Sequence, residues 1–216
     1  MPSLELSARF DEKILEEAIQ SPAVAMMHLS LEIDRQLRLI LAAIGKLGDY
    51  VGQSPNQALD LIAIHMNAPI PPEVRDTLND FWNLRNRVVH GPDSKQRDAM
   101  RSVDYGLRIL RIVQSIPRPS FIVLRVVPVF SDSTCGVPSH DVSGVILEHR
   151  GPNGEIEGPH VHPSRKGYNQ GQSVSWEWDR TGEGWGKTWY RDPDSGEIKL
   201  AWSQSLEFIG RPLEQI

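Results

Sequence analysis

Residues 116–130 read IPRPSFIVLRVVPVF, and the hydrophobic period changes across this stretch. Pro117 and Pro119 lack backbone N–H donors and bias the residues before them away from helix, so a helix arriving from the N-terminal side stops here. Beyond them, FIVLRVVPVF is a nearly continuous apolar run rich in β-branched residues, which reads as a buried strand. Before them, Val103, Leu107, Leu110 and Val113 recur at steps of three and four, one face of a helix. The stretch predicts an α+β protein with its helices first and its strands second.

Working back, the helical pattern extends to about residue 10. FDEKILEEAIQ (10–20) reads as an amphipathic helix with Phe10, Ile14, Leu15, Ala18 and Ile19 on one face. Ser21-Pro22 is a restart signal, serine as N-cap and proline at the first helical position. The helix it opens carries Val24, Met27, Leu31, Leu37, Leu41 and Ile44, and Gly45 or Gly48 can end it. Ser54-Pro55 repeats the signal for a helix to about Met66. Pro71-Pro72 opens another, through Leu78, Phe81, Leu84 and Val88 to His90, where Gly91 is placed as C′ residue and Pro92 blocks continuation. Asp93 or Ser94 can then cap the last helix, which runs to about Ile116.

Working forward, SGVILEH (143–149) reads as a second strand, followed by the turn GPNGE. SVSWEWD (173–179) alternates strictly and places Val174, Trp176 and Trp178 on one face. DPDSG (192–196) is a hairpin turn between TWYR and EIKLAW, and LEFIG supplies a last short strand. Residues 1–117 are therefore expected to form an all-helical domain and residues 118–216 a smaller antiparallel β domain.

The 216 residues suffice for two small domains, each with its own core. A net charge of −5 argues against a protein that coats nucleic acid with its whole surface, while leaving room for a local basic patch. The only cysteine is Cys135, so no intrachain disulfide or CxxC metal site can form, which fits a reducing compartment. MPSLELSARF has neither a basic nor an apolar leader segment, and the longest apolar runs, such as LILAAIG (39–45), are far too short to cross a bilayer. A cytoplasmic protein without a membrane partner is expected.

The chemistry concentrates in NLRNRVVHGP (83–92). Arg-x4-His alone is weak, since this composition supplies about half a match by chance. Its context is more informative. Asn86 and His90 are four apart on one helix face, so the amide is positioned to hydrogen-bond and orient the imidazole. Arg85 and His90 are about 140° apart around an ideal helix. They would meet across a two-fold axis between two copies of the helix end, which predicts a composite site in a homodimer. The helix C-terminus favours imidazolium and a neighbouring arginine disfavours it, a balance suited to an acid–base catalyst near neutrality.

Between residues 85 and 118 there are eight Lys or Arg against three acids. Arg97, Arg101, Arg108 and Arg111 form one stripe on the last helix, which together with Arg87 suits an RNA backbone or, more blandly, a solvated helix face.

Residues 10–116, with the early helix SPAVAMMHLSLEIDRQLRLIL and above all LRNRVVHG, resemble a HEPN domain. The resemblance implies a metal-independent endoribonuclease acting as a dimer without a cofactor, often a toxin or an effector of antiviral defence. The RNA 2′-hydroxyl would attack its own phosphodiester to leave a cyclic phosphate. His90 would be general acid or base, Arg85 would stabilise the phosphate charge, and Asn86 would orient or contact. A second reading makes the helical domain a non-catalytic dimerising or nucleotide/RNA-binding module. In either case the β domain is left to recognise a target, an antitoxin or another protein partner.

Two other signals lie in the β half. His160 and His162 alternate on one strand face, with His140, Asp141 and His149 as further possible ligands, but no acidic partner at a metal-site spacing. Trp176, Trp178, Trp185, Trp189 and Trp202 suit either a small core or a surface that stacks bases, and core packing is favoured. Cys135 precedes His140 and Asp141 in a loop-like segment that fixes no geometry for a thiol nucleophile.

Overall fold

The computed structural model describes residues 2–50, 52–66, 70–90 and 96–216, and their side chains apart from those of 2–8, 72, 89, 90 and 96–99. Five helices come first: α1 (Pro2–Gln20), α2 (Pro22–Ala43), α3 (Pro55–Met66), α4 (Pro72–His90) and α5 (Gln96–Ser115). Eight strands follow: β1 (Ser120–Phe130), β2 (Pro138–Arg150), β3 (Ile156–Ser164), β4 (Ser173–Val174), β5 (Trp178–Asp179), β6 (Thr188–Arg191), β7 (Ile198–Trp202) and β8 (Glu207–Phe208). The chain is an α+β protein and divides into two compact units. One comprises residues 1–38 and 50–116, the other residues 39–49 and 117–216.

In the helical unit, proline occupies the first residue of α2, α3 and α4, where its missing N–H would have had no helical acceptor. At α3 the Ser54 backbone N–H donates to Gln57 Oε1 at 2.7 Å, the reciprocal half of a capping box. Ile14, Ala18, Met26, Leu29, Ile33, Leu59, Ile62, Leu78, Phe81, Val103, Leu107, Leu110 and Val113 are buried. Helices α2, α4 and α5 meet where Gly106 allows it. A Cβ at that position would lie 2.6 Å from Phe81 Cε2 and 2.9 Å from Leu29 Cδ1. Arg111 pairs with Asp11 and Glu17 with His28, so α2 runs alongside α5 and opposite to α4. The start of α2 and the end of α4 therefore lie at the same end of the bundle.

Two expected faces differ from those observed. On α1, Ile14 and Ala18 are buried, whereas Leu15 and Ile19 face solvent, Ile19 being 68% exposed. On α2 the inward stripe is Met26, Leu29, Ile33, Leu37 and Ile40, and Val24, Met27 and Leu31 lie outside it, Leu31 being 66% exposed. The helix has two adjacent apolar stripes about one residue apart, and periodicity alone cannot rank them. The stripe with five large inward residues took the core. The caps expected at Asp93 or Ser94, and the Gly91-Pro92 stop, lie outside the described residues.

In the β unit, antiparallel strands form one sheet in the order β3-β2-β1-β6-β7, with β4 also paired to the start of β1, and β5-β8 form a separate ribbon. Both faces of the sheet carry a core. Phe121, Val123, Val145, Leu147, Val174 and Phe208 form one, with Tyr168, Trp176 and Trp178 packed against it. Val127, Val129, Val142, Ile146, Tyr190 and Trp202 form the other. The sequence neighbours Val145 and Ile146 point into opposite cores, as strand alternation requires.

SVSWEWD is not the continuous strand its alternation predicts. It forms only β4 and β5, because the backbone between them bonds elsewhere. The Ser175 N–H donates to the Arg211 carbonyl, and the Trp176 N–H donates to the Ala42 carbonyl, both at 2.9 Å. Val174, Trp176 and Trp178 nevertheless reach one core, as the alternation indicates.

Residues 39–49 contribute to this unit through that last bond and through Gly45. Gly45 has φ +71°, and a Cβ there would lie 2.5 Å from the Trp176 carbonyl oxygen. Both the backbone conformation and the immovable carbonyl demand glycine. Gly45→Ala is expected to destabilise the β unit by about 1–3 kcal/mol. Chemical denaturation followed through the tryptophans is the check, since five of the six lie between residues 176 and 202.

Candidate functional site

The end of α4 is built on its core stripe. Leu78, Phe81 and Val88 are buried and set the rotation of the helix, which places Arg85 at the flank of that stripe and half-buries it. Asn86 and Arg87, one and two residues on, are exposed. Arg85 Nη1 donates to Asn86 Oδ1 at 3.0 Å. Arg85 Nε is enclosed and has no hydrogen-bond partner among the described residues. A buried donor without an acceptor is costly, and an anionic oxygen is the group best able to repay it.

α4 ends at His90, whose side chain lies outside the described residues, so the expected Asn86–His90 bond lies outside them as well. The observed orientation of Asn86 has another cause. Its amide oxygen accepts from the adjacent guanidinium, which leaves the amide nitrogen as the donor end of the side chain.

Along α5 the expected basic stripe is resolved in part. Arg101 and Arg108 are exposed, and Arg101 lies 5.7 Å from the Tyr105 ring centroid. Arg111 is also exposed, but it donates to Asp11 through Nη2 at 2.6 Å and Nε at 3.2 Å. Asp11 is distant in sequence, so this pairing had no sequence signal. The Arg97 side chain lies outside the described residues. Among the described stripe members, Arg101 and Arg108 are thus the two exposed arginines not ion-paired to an acid.

In the β unit, His160 and His162 do share a strand face, paired with Leu147 and Val145, with ring centroids 6.4 Å apart. His162 is packed edge-on against Trp178 at 5.1 Å and Trp176 at 5.7 Å. His149 Nδ1 lies 2.7 Å from Glu157 Oε2. Among the described residues, no group of three His, Cys, Asp or Glu is placed to hold a metal. At Cys135 the backbone N–H donates to the Asp132 carbonyl at 3.2 Å, and φ is +55°. Its loop is tied by the Asp132 carboxylate, which accepts from the backbone N–H of Thr134, Gly136 and Val137.

Burial, and secondarily the charge of His160, pulls the His162 pKa down from 6.5 to about 4. The folded state therefore holds this ring neutral where the unfolded chain would protonate it. Its contribution to stability is present above about pH 6.5 and is lost as pH falls toward 4. A His162→Phe variant is expected to flatten that limb of the stability–pH curve, measured by denaturant titration between pH 4 and 7. An unchanged slope would show that His162 does not carry the dependence.

Of the five tryptophans in the β half, four belong to cores. Trp202 is buried, Trp185 packs beside it, and Trp176 and Trp178 meet edge to face at 5.0 Å. Trp189 is the exception and is half-exposed with the Lys187 ammonium 5.2 Å from its ring centroid. No protein-family model matches the chain, and neither a curated protein nor a solved structure shows significant similarity to it.

Proposed function

We propose that the helical unit is a HEPN-type, metal-independent endoribonuclease that acts as a homodimer, with Arg85, Asn86 and His90 at a composite site. The observation that carries this reading is the state of Arg85. It is half-buried at the end of α4, oriented by Asn86, and retains an enclosed Nε donor without a partner among the described residues. A half-buried, pre-oriented guanidinium supports a role in receiving a phosphate oxygen.

In the proposed reaction the RNA 2′-oxygen forms a bond to the adjacent phosphorus and the P–O5′ bond breaks, giving a 2′,3′-cyclic phosphate and a 5′-hydroxyl. His90 of one chain removes the 2′-hydroxyl proton, and the departing O5′ takes a proton from solvent. Arg85 stabilises the charge that builds on the non-bridging oxygens. Arg87, Arg101 and Arg108 guide the strand, and a role as a toxin or defence effector is what the resemblance adds.

A second copy has a surface to bury. Leu15, Ile19, Val24, Met27 and Leu31 are all exposed large apolar residues, and those on α2 begin at the end of the bundle where α4 finishes. The test is incubation of structured and unstructured RNAs with purified protein in excess EDTA, with the products resolved on a gel. Cleavage to cyclic-phosphate ends supports the reading. No cleavage of any RNA favours the non-catalytic binding module, and cleavage lost in EDTA favours a metal-dependent hydrolase.

A further inference from the structure

We propose that the outer face of β1, β6 and β7 is a stacking platform for unpaired nucleic-acid bases, centred on Trp189. This adds a binding site to the nuclease reading and does not depend on Arg85 or His90. The face follows from register. Phe130 pairs with Pro138 on one side and with Trp189 on the other, and Trp189 pairs with Leu200. Directly opposed residues in an antiparallel pair project to the same side, so these four form one row across β2, β1, β6 and β7. The neighbouring pair Val129–Tyr190 points the other way, into a core.

The row lies on open surface. Leu200 is 48% exposed, Pro138 is exposed, and Phe130 and Trp189 are half-exposed. Val126 and Pro128 continue the patch along β1, and Ile198, paired with Arg191, continues it along β7. A protein of this size rarely leaves such a surface to water without a use for it.

The charges identify the occupant. Lys187 sits over the Trp189 ring, and Arg191 follows two residues later on the same strand. Among the described residues neither is ion-paired to an acid. Two of the three acids of the adjoining hairpin are already neutralised: Asp192 lies 2.6 Å from Lys199 Nζ and Asp194 lies 2.9 Å from Arg125 Nη2. Glu197 is the third acid of that hairpin, and Lys187 and Arg191 are the cations nearest the ring that have no acid partner among the described residues. Flat aromatic surface beside unneutralised cations fits a ligand that has flat rings joined by anions. Single-stranded nucleic acid has that chemistry, and a duplex does not, because its bases are already stacked. A base taking the Trp189 face moves the Lys187 ammonium a few ångströms, toward that nucleotide's phosphate.

The experiment measures fluorescence anisotropy of a short labelled oligouridylate, and of an RNA duplex of equal length, with the 216-residue chain. It uses the His90→Ala background so that no RNA is cut. Trp189→Ala is expected to weaken single-strand binding about tenfold or more, while Trp189→Phe keeps most of it. Trp189→Leu preserves apolar area without a π face and is expected to bind as poorly as Trp189→Ala. Lys187→Glu, which leaves the ring intact, is expected to lose affinity in a way that shrinks as salt is added. Wild-type affinity in Trp189→Leu, equal affinity for the duplex, or no single-strand binding would overturn the proposal. The Leu result would show that Trp189 does not stack a base. Binding here and cleavage at Arg85 and His90 are read in separate assays, so failure of one leaves the other standing.

Discussion

His90→Ala and Arg85→Ala are each expected to abolish RNA cleavage in excess EDTA. Removing the group that moves the proton costs about a hundredfold to ten-thousandfold in rate. Removing a preorganised donor aimed at the developing charge costs about a hundredfold to a thousandfold. The Arg85 effect has a structural cause. Its Nε is enclosed, and its Nη1 is held by Asn86, so the guanidinium is oriented before any substrate arrives. Arg85→Lys is therefore expected to behave like Arg85→Ala, because an ammonium restores the charge but not the planar fork. Asn86→Ala should retain more activity, since it removes only the bond that orients Arg85. Cleavage rates from initial time points, with thermal melts to verify folding, are the measurement. Wild-type rates in His90→Ala would exclude the histidine from the chemistry.

Phe81→Ala has the largest expected effect on stability. The ring is fully buried, lies 4.8 Å from the Trp82 ring, and fills the space over Gly106 between α4 and α5. Loss of a buried phenylalanine costs about 3–5 kcal/mol, more where neighbours cannot collapse into the cavity. Collapse is hindered here because Gly106 has no side chain to contribute. The helical unit is expected to melt lower by on the order of 15 °C or more. Adding Gly106→Ala to Phe81→Ala should recover part of the loss, because its Cβ enters space the ring occupied at 2.6 Å. If the two changes simply add, the cavity explanation is wrong. Phe81 is also one turn before Arg85, so this variant should lose cleavage without losing a catalytic group.

Much of the fold was legible because proline and period are local signals. Ser54-Pro55, Pro71-Pro72 and the Pro117–Pro119 break each sit at the boundaries of an observed element. What was not legible depended on tertiary contact. Nothing in SVSWEWD reveals that Trp176 will donate to Ala42 from a distant helix and so interrupt the strand. Nor could α2 show which of its two apolar stripes would face inward. The candidate site follows the same division. Helix spacing placed Arg85, Asn86 and the basic stripe on their elements, while the loss of Arg111 to Asp11 rests on a partner a hundred residues away. The five tryptophans read alike in sequence. The strand register separates Trp189 from the four in cores.

The composite site is tested most directly by mixing two inactive proteins. Arg85→Ala and His90→Ala are unfolded together, refolded in equal amounts, and assayed for RNA cleavage in EDTA. In a mixed dimer one site contains both changes and the other contains neither, provided each site takes Arg85 from one chain and His90 from its copy. Random pairing then restores about a quarter of the wild-type rate. A mixture as inactive as its components, from proteins shown by light scattering to be mixed dimers, would contradict a site shared between chains.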